Sequence, residues 1–308
     1  MKLVHAANEL KPAGRKICLA IGMFDGVHLG HQQIIRQTIA DARQQESVAL
    51  VVTFDRHPSA VVAPTRVPLL IYSLPKKVRA IESLGADALL LCMFDRAFSE
   101  QPGEAFIRGL ARDLGWIHSL CVGADFTFGY KRGGNVTFLK KLGEELKFTM
   151  HGLAAVALDG QPVSSTRIRE AIRTGDLAAA SRMLGRPYSL ASRVIRGDQL
   201  GRQLGFPTAN LDVTGLALPS NGVYAAHATV VGQATHQAVV NIGSRPTLQQ
   251  PTPQLCVEAH LLDFKGDLYD RELEVVLTGK LREETKFPSL ESLKEQIAHD
   301  IAQARARF

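Results

Sequence analysis

Features of membrane-spanning, secreted and metal-stapled proteins are scarce in this sequence. No apolar run approaches the ~20 residues that a helix needs to cross a bilayer, and the opening residues, Met1 to His5, lack the long apolar core of a secretory signal. The four cysteines are scattered, without a CxxC pair or a Cys/His cluster, which favours reduced core thiols over disulfides or zinc. We therefore expect a soluble, cytoplasmic protein.

Basic residues are in excess, but they never form a run interleaved with aromatic residues. The formal net charge of +6 would fit nucleic acid or small anions such as ATP. Because the basic residues are dispersed, a mixed-charge solvated surface is the simpler interpretation. We expect neither a nucleic-acid partner nor a membrane partner.

Length and hydrophobic patterning predict two domains in a chain of 308 residues. Up to Gly185, short apolar runs alternate with helical stretches, which is typical of an open α/β sheet whose parallel strands are covered on both faces. Beyond Gly185 the pattern changes to strand-like segments separated by turn signals. We therefore predict one domain over 1–185 and a second, antiparallel sheet or barrel over 186–308.

Apolar periodicity also predicts the positions of most elements. In the first half it gives strands over 17–21, 48–54, 88–94 and 120–122, and helices over 31–45, 75–84, 102–114, 165–173 and 176–184. In the second half it gives strands over 223–231, 237–242, 255–262 and 272–277, and a helix over 289–304 capped by Ser289.

The densest motif of the first half runs from Gly22 to His31, between the first strand and the first helix. Ligands of open α/β sheets bind at the carboxyl ends of strands, and a helix N-terminus offers N–H groups to an anion. Gly22 and Gly26 would let a phosphate approach the backbone, while His28 and His31 would donate to its oxygens. Fixed donors lower the barrier to attack at phosphorus, so the motif predicts nucleotidyl transfer from ATP; two surface histidines or a metal pair are the plainer alternatives.

Ser165, Thr166 and Arg169 lie at the start of a later helix and support the same chemistry. Hydroxyls at a helix start can be simple caps. With Arg169 one turn on, they can also cradle a triphosphate. Alone the two interpretations are balanced; beside the histidine pair, phosphate binding is favoured.

A glycine-rich segment in the second half leads to two polar residues. Gly197, Gly201 and Gly205 would form a loop around a phosphate, but they do not match the GxxxxGK[ST] pattern of a Walker site. Thr208 and Asn210, two apart on an extended segment, point the same way. Their oxygens suit Mg²⁺, and a glycine-rich hairpin with polar edge residues explains the pattern equally well.

Glu258 lies in the middle of a predicted strand. Val257, Ala259 and Leu261 alternate with it and face the other way. A glutamate in this place can accept a hydroxyl proton as general base. Solvent exposure is the commoner explanation for such a residue.

Together these motifs resemble one family, the bifunctional bacterial riboflavin kinase/FMN adenylyltransferases, also called FAD synthetases. The resemblance spans nearly the whole chain, and its motifs occur in the family's order. The segments that carry it are 22–31, 53–58, 122–129, 163–169, 205–210, 222–225, 241–247, 257–264, 281–283 and 286–287.

The resemblance implies a Rossmann-like nucleotidyltransferase α/β domain followed by a small six-stranded antiparallel β-barrel, the riboflavin kinase domain, with a C-terminal helix. It implies that riboflavin is phosphorylated with MgATP to give FMN, and that FMN is then joined to AMP from ATP to give FAD and pyrophosphate. Mg²⁺ would be the cofactor and ATP the co-substrate. Weak or transient self-association is left open.

The resemblance also implies roles for individual residues. In the first domain it assigns ATP to Gly22, Phe24, Asp25, Gly26, His28, His31, Ser165, Thr166 and Arg169, with the two histidines catalytic. It assigns FMN to Phe54, His57, Pro58, Asp125, Phe126 and Phe128. In the barrel it assigns ATP to Gly197, Gly201, Gly205, Thr208 and Asn210, Mg²⁺ to Thr208 and Asn210, and the flavin to Glu258, also the catalytic base, and Arg282.

Two other functions stay open at this point. One is an adenylyltransferase for another phosphate ester, such as phosphopantetheine, with an inactive barrel; it leaves Thr208, Asn210 and Glu258 unexplained. The other is a nucleic-acid-binding protein, which would show salt-sensitive RNA binding without nucleotide turnover.

Overall fold

The computed structural model describes residues 1–10, 14–197, 199–245 and 254–308. These residues form two units, Met1–Arg167 with Met183–Gly185 and Ile168–Arg182 with Arg186–Phe308. The domain boundary after residue 185 stays a prediction. Within the described residues, no helix combines the length and the apolar character needed to cross a membrane.

The first unit is built on a six-stranded parallel sheet. Its strands are β1 (Lys2–Val4), β2 (Ile17–Ile21), β3 (Val48–Phe54), β4 (Ala88–Cys92), β5 (Ile117–Gly123) and β8 (Thr149–Leu153), with β6 (Thr127–Phe128), β7 (Gly134–Asn135), β9 (Ala157–Leu158) and β10 (Gln161–Pro162) outside it in two small ribbons. The order is β1-β4-β3-β2-β5-β8, and every neighbouring pair is parallel. The predicted α/β sheet is confirmed.

Helices connect these strands. They are α1 (Leu29–Gln44), α2 (Ser59–Val62), α3 (Leu74–Glu82), α4 (Arg96–Ser99), α5 (Gly103–Leu114) and α6 (Val136–Leu146), with 3-10 helices at Ala7–Glu9, Asp25–Val27, Pro64–Arg66 and Tyr130–Arg132. On α5, Ile107, Leu110 and Leu114 form the buried stripe and pack into the main core cluster of the sheet. Amphipathic spacing therefore decides which face of α5 covers the sheet.

Two helices follow along the chain before the barrel begins. They are α7 (Ser165–Thr174), which starts in the first unit and continues in the second, and α8 (Leu177–Leu184). The backbone N–H of Arg186 donates to the carbonyl of Ser181, and the Tyr188 N–H donates to the Ser181 hydroxyl. These bonds fix the turn that leads from α8 into the barrel.

The second unit is a closed antiparallel barrel of six strands. They are β11 (Ser189–Ile195), β12 (Ala209–Leu211), β13 (Gly222–Val230), β14 (Thr235–Arg245), β15 (Gln254–Leu261) and β16 (Glu272–Arg282), in the order β11-β12-β15-β14-β13-β16. The glycine-rich segment joins the antiparallel pair β11 and β12 and contains the single turn α9 (Leu200–Gln203). The predicted six-stranded antiparallel barrel is confirmed.

The C-terminal helix α10 (Leu290–Arg305) packs on the barrel. Ser289 caps it by accepting the N–H of Ser292, as the sequence predicted. Ala304 joins a cluster with Val223 and Val239 of the barrel strands. The C-terminal part of α10, with Ile301 and Ala304, therefore packs against the barrel strands.

Candidate functional site

The segment from Gly22 to His31 makes a tight turn between β2 and α1. Gly26 has φ +77°, and a Cβ there would lie 3.0 Å from the Ile71 side chain. The Gln32 amide donates to the carbonyl of Val27, 2.9 Å away. Left-handed backbone, close packing and this bond together fix the turn at the carboxyl end of β2.

His28 and His31 are held together at the start of α1. His28 Nδ1 accepts the backbone N–H of His31, at 3.4 Å, so a neutral His28 ring carries its proton on Nε2. The two rings stack with centroids 3.5 Å apart, and the Phe24 ring meets His31 edge-on at 5.3 Å. The structure therefore brings the predicted catalytic pair to a helix N-terminus, where anions are favoured.

Two residues with a predicted ATP role lie inside the turn. Phe24 is fully buried, and a Cβ on Gly22 would approach its ring to 2.9 Å. The buried Asp25 carboxylate accepts the N–H groups of Ile71 and Tyr72 at 3.0 Å and 3.3 Å. Both residues shape the turn from within, and direct binding of ATP by them stays a prediction.

The start of α7 meets the same turn. The Ser165 hydroxyl donates to the carbonyl of Asp25, at 3.2 Å. Ser164, not one of the predicted ATP residues, supplies the cap by accepting the N–H of Arg167. Thr166 is exposed, and Arg169 lies one turn further along α7, in the second unit. Within the first unit, the Ser165 hydroxyl thus joins the start of α7 to the segment from Gly22 to His31, which we call the phosphate motif.

An aromatic cavity of about 550 Å³ lies in the first unit. Five of the six predicted FMN residues line it, namely Phe54, His57, Pro58, Phe126 and Phe128. Phe126 and Phe128 stack with centroids 5.3 Å apart. Asp125 is exposed and is not part of this lining, so the structure does not bring it to the other five.

Sequence reasoning missed several rings of this cavity. Phe94, Phe98 and Phe106 also line it, and Phe94 lies 5.6 Å from Phe54, centroid to centroid. The signal in the sequence was the pair of phenylalanines, Phe94 and Phe98, that follows β4.

Asp55 lies beside this aromatic cavity at the end of β3. Burial alone would raise the pKa of Asp55, but hydrogen bonds from Arg56 and from the Phe94 N–H hold that pKa below its ordinary value. Asp55 thereby ties the end of β3 to the segment that carries Phe94.

Lys77 was also missed, and it links the phosphate motif to the cavity. Its Nζ donates to the carbonyl oxygens of Phe54, at 2.7 Å, and Met23, at 3.4 Å. Burial lowers its pKa to about 8, although Asp25 and Asp55 oppose that shift. The signal in the sequence was a lysine on the face of α3 that also carries two buried apolar residues.

A second cavity, of about 360 Å³, lies in the barrel unit. Thr208, Asn210, Glu258, Arg282 and Gly201 line it, whereas Gly197 and Gly205 do not. The structure therefore assembles the polar residues predicted for the barrel and leaves two of the three glycines outside.

Glu258 sits between two asparagines across neighbouring strands. It is paired in register with Asn210 of β12 on one side and with Asn241 of β14 on the other. All three line the cavity. Asn241 was not among the predicted site residues, because its strand partner is not evident from sequence spacing.

The glycines act through the backbone. A Cβ on Gly197 would lie 2.5 Å from the Asn210 side chain, and one on Gly201 would lie 2.5 Å from the carbonyl oxygen of Phe206 and 3.3 Å from Thr208 Oγ1. Gly205 has φ +90° with open space around it, so it supplies the left-handed turn before Phe206. Gly197 and Gly201 therefore allow the close approach that places both polar side chains.

Arg282 is held by a residue of α10 that sequence reasoning missed. Its guanidinium donates to both carboxylate oxygens of Asp300, at 2.8 Å and 2.9 Å. Asp300 is buried and also accepts from Gln296. The Arg282 guanidinium lies 5.5 Å from the Phe287 ring centroid. Arg282 and Asp300 both line the barrel cavity, so their ion pair fixes α10 beside it.

Comparison with known proteins gives matches over both units. The sequence model of the family described as "FAD synthetase" matches residues 10–167, and that described as "Riboflavin kinase" matches residues 184–308. A protein of Escherichia coli (strain K12), "Bifunctional riboflavin kinase/FMN adenylyltransferase", is 38% identical over 100% of this chain and 98% of its own length. Proteins of the same name from Pseudomonas fluorescens and Haemophilus influenzae are 39% and 35% identical, over at least 97% of their lengths.

One solved structure is similar along nearly the whole chain. It is the crystal structure of a macrolide-efflux protein from Streptococcus pneumoniae, with a TM-score of 0.81, 26% identity and coverage of 99% of both chains. The fold likeness and the sequence matches thus extend over the same two units.

Proposed function

The chain belongs to the family of bifunctional riboflavin kinase/FMN adenylyltransferases, and we propose how its two units divide the two reactions. The enzyme phosphorylates riboflavin with ATP to give FMN, and adenylylates FMN with ATP to give FAD and pyrophosphate. We assign the first reaction to the barrel, residues 186–308, and the second to residues 1–185. The order of the two family models along the chain supports this division.

One observation carries the kinase assignment. Glu258 lines the barrel cavity between its two cross-strand neighbours, Asn210 and Asn241. The nucleophile of this reaction is a neutral alcohol, the ribityl 5′-hydroxyl of riboflavin. As its oxygen bonds to the γ-phosphorus and the bond to the ADP oxygen breaks, Glu258 accepts the hydroxyl proton. Solvent exposure alone would not place a glutamate among cavity residues.

The donors around Glu258 suit a magnesium ion. Thr208 offers a hydroxyl oxygen, Asn210 an amide oxygen and Glu258 a carboxylate, and all three line one cavity; Mg²⁺ prefers such hard oxygen ligands. We assign the ion to Thr208 and Asn210. When bound, it supplies positive charge to the ATP phosphates.

Adenylylation needs positioning more than proton transfer. The FMN phosphate is already an anion, and its oxygen attacks the α-phosphorus of ATP as the bond to pyrophosphate breaks. His28, His31 and the N–H groups of α1 would hold the ATP phosphates, with Ser165 and Thr166 completing the cradle within the first unit. The aromatic cavity would take the isoalloxazine ring, because such rings stack on aromatic faces.

A time course of flavin products tests the division. With riboflavin, ATP and Mg²⁺, the purified chain should form FMN first and FAD later. Glu258→Gln should lower riboflavin phosphorylation by about 100-fold or more while still converting supplied FMN to FAD. His31→Ala should stop the reaction at FMN. Matched controls are Glu295→Gln and His5→Ala, since both side chains are exposed in the respective units.

The contrary results are distinct. If Glu258→Gln or His31→Ala, folded by circular dichroism, lowered both reactions alike, the division of labour would be wrong. If the unaltered chain formed neither product from riboflavin and ATP, the activity itself would be refuted.

We place the enzyme in the cytoplasm, where both reactions find ATP. The four cysteines, Cys18, Cys92, Cys121 and Cys256, all fall within the described residues and are all free thiols. Free thiols persist in that compartment.

A further inference from the structure

Three metal-ligating side chains meet in the first unit, outside the phosphate motif and the aromatic cavity. Asp41 lies near the end of α1, while Cys121 of β5 and His151 of β8 are paired in register on neighbouring strands. Their ligand atoms all lie within 4.8 Å of one another. We propose that Asp41, Cys121 and His151 bind a zinc-type divalent cation, with the fourth position open to water.

The distances suit a small tetrahedral ion. Asp41 Oδ2 lies 3.3 Å from His151 Nε2 and 3.8 Å from Cys121 Sγ. Ligands at zinc bond lengths stand about 3.3–3.7 Å apart at the corners of a tetrahedron. Two of the three ligand separations are therefore already close to those of a zinc site, and the third, between Cys121 and His151, is at most 4.8 Å.

The donor set points to zinc rather than to magnesium or calcium. A thiolate and an imidazole are borderline-to-soft ligands, which select ions such as Zn²⁺, whereas Mg²⁺ and Ca²⁺ prefer oxygen alone. The thiol proton of Cys121 leaves to solvent when the ion binds. The cation needed is thus chemically different from the one assigned to Thr208 and Asn210.

Neighbouring side chains hold the carboxylate in place. Gln37 donates its amide to Asp41 Oδ1, at 2.7 Å, which leaves Oδ2 facing Cys121 and His151. Ser119 donates to Asp41 Oδ2, at 2.9 Å. Such outer partners orient ligands in metal sites.

The cluster has a way in for the ion. Cys121 is fully buried, but the His151 side chain is 34% exposed and the Asp41 side chain 12%. An ion entering past His151 would reach all three ligands. Once bound, it would fasten the end of α1 to β5 and β8, because each ligand comes from a different element.

Cobalt spectroscopy on the full chain provides the test. One equivalent of Co²⁺ added to metal-free enzyme should give a thiolate-to-cobalt charge-transfer band, which Zn²⁺ should then displace. Cys121→Ser should abolish the band. In equilibrium dialysis with Zn²⁺, His151→Gln should weaken binding by more than about 100-fold, and Gln37→Leu, which removes only the outer partner, by about 10–100-fold.

Two control variants test the barrel cavity and the phosphate motif as alternative places where cobalt could bind. Cys256→Ser removes the thiol that lines the barrel cavity, and His31→Ala alters the phosphate motif; both should keep the band. Absence of a thiolate band in the unaltered chain, or its survival in Cys121→Ser, would show a hydrogen-bond network only and overturn the proposal. If Cys121→Ser fails to fold, equilibrium dialysis of His151→Gln with Zn²⁺ provides the test instead. Unchanged zinc binding in His151→Gln would also overturn the proposal.

Discussion

Replacing Lys77 by methionine should change how the stability of the first unit depends on pH. Lys77 is only 5% exposed, and its Nζ donates to the carbonyl oxygens of Met23 and Phe54. Burial lowers its pKa from the ordinary 10.5 to about 8. Lys77→Met keeps the length and apolar character of the side chain and removes the charge.

The expected magnitude follows from the two pKa values. Between about 8 and 10.5 the unfolded chain holds the Lys77 proton more tightly than the folded chain does. The free energy of unfolding therefore rises with pH through this window, and the full effect is about 3 kcal/mol. Between pH 7 and pH 9, the native chain should gain about 1.4 kcal/mol relative to Lys77→Met.

Urea unfolding at several pH values measures this difference. Trp116 is the single tryptophan of the chain and belongs to the first unit, so its fluorescence reports on that unit. Loss of the Lys77 hydrogen bonds changes the free energy of unfolding of Lys77→Met by the same amount at every pH. Only the loss of the titrating charge changes how that free energy depends on pH. Lys140→Met, an exposed lysine on α6, is the matched control and should keep the native slope.

Equal pH slopes for the native chain and Lys77→Met would refute the reasoning. That result would mean that Lys77 titrates alike in the folded and unfolded chains, in spite of its burial. A native chain that lost stability relative to Lys77→Met between pH 7 and pH 9 would show that attraction to Asp25 and Asp55 outweighs the cost of burial.

Three further substitutions probe the barrel. Gly197→Ala places a Cβ 2.5 Å from the Asn210 side chain and should displace it. In steady-state kinetics the KM for ATP in riboflavin phosphorylation should therefore rise about tenfold or more, while FAD formation from FMN stays unchanged. Asp300→Asn breaks the bidentate pair with Arg282 and should lower the free energy of unfolding by about 2–3 kcal/mol, measured by thermal unfolding; an unaltered Tm would contradict this. Thr208→Val removes one oxygen donor, so half-maximal kinase activity should need about tenfold more Mg²⁺, an effect that Thr208→Ser should largely reverse.

Uninterrupted apolar runs were the most predictable part of the fold. Strands β2 and β3 have the bounds that the sequence predicted, because each is an almost entirely apolar segment of the buried sheet. Strand β5 begins earlier than predicted, at Ile117, since His118 and Ser119 interrupt its apolar pattern. Helix α1 begins at Leu29 rather than His31, because His28 provides the cap.

Elements with weak patterns were not predicted. Strands β11 and β12 form two neighbouring walls of the barrel, yet β12 spans only Ala209–Leu211. So short a strand leaves no periodicity to read, and its pairing with β15 is a long-range contact. Local patterns therefore predicted the class of the second unit but not its complete strand set.

The candidate sites divide in the same way. Motifs contiguous in sequence, such as the segment from Gly22 to His31, could be recognised before the structure was known. Residues that meet only through strand order, such as Asn241 beside Glu258, could not. The cluster of Asp41, Cys121 and His151 likewise has no local spacing signature, so the sequence favoured an ordinary core thiol at Cys121.

The packing of Phe128 has a consequence for how the sequence can vary. Its ring rests on bare backbone, since a Cβ on Gly103 would lie 2.8 Å from it and one on Gly134 would lie 2.6 Å from it. The shape of this part of the cavity therefore depends jointly on Gly103, Phe128 and Gly134. In other members of the family, a smaller side chain in place of Phe128 should be accompanied by a larger residue at one of the two glycine positions.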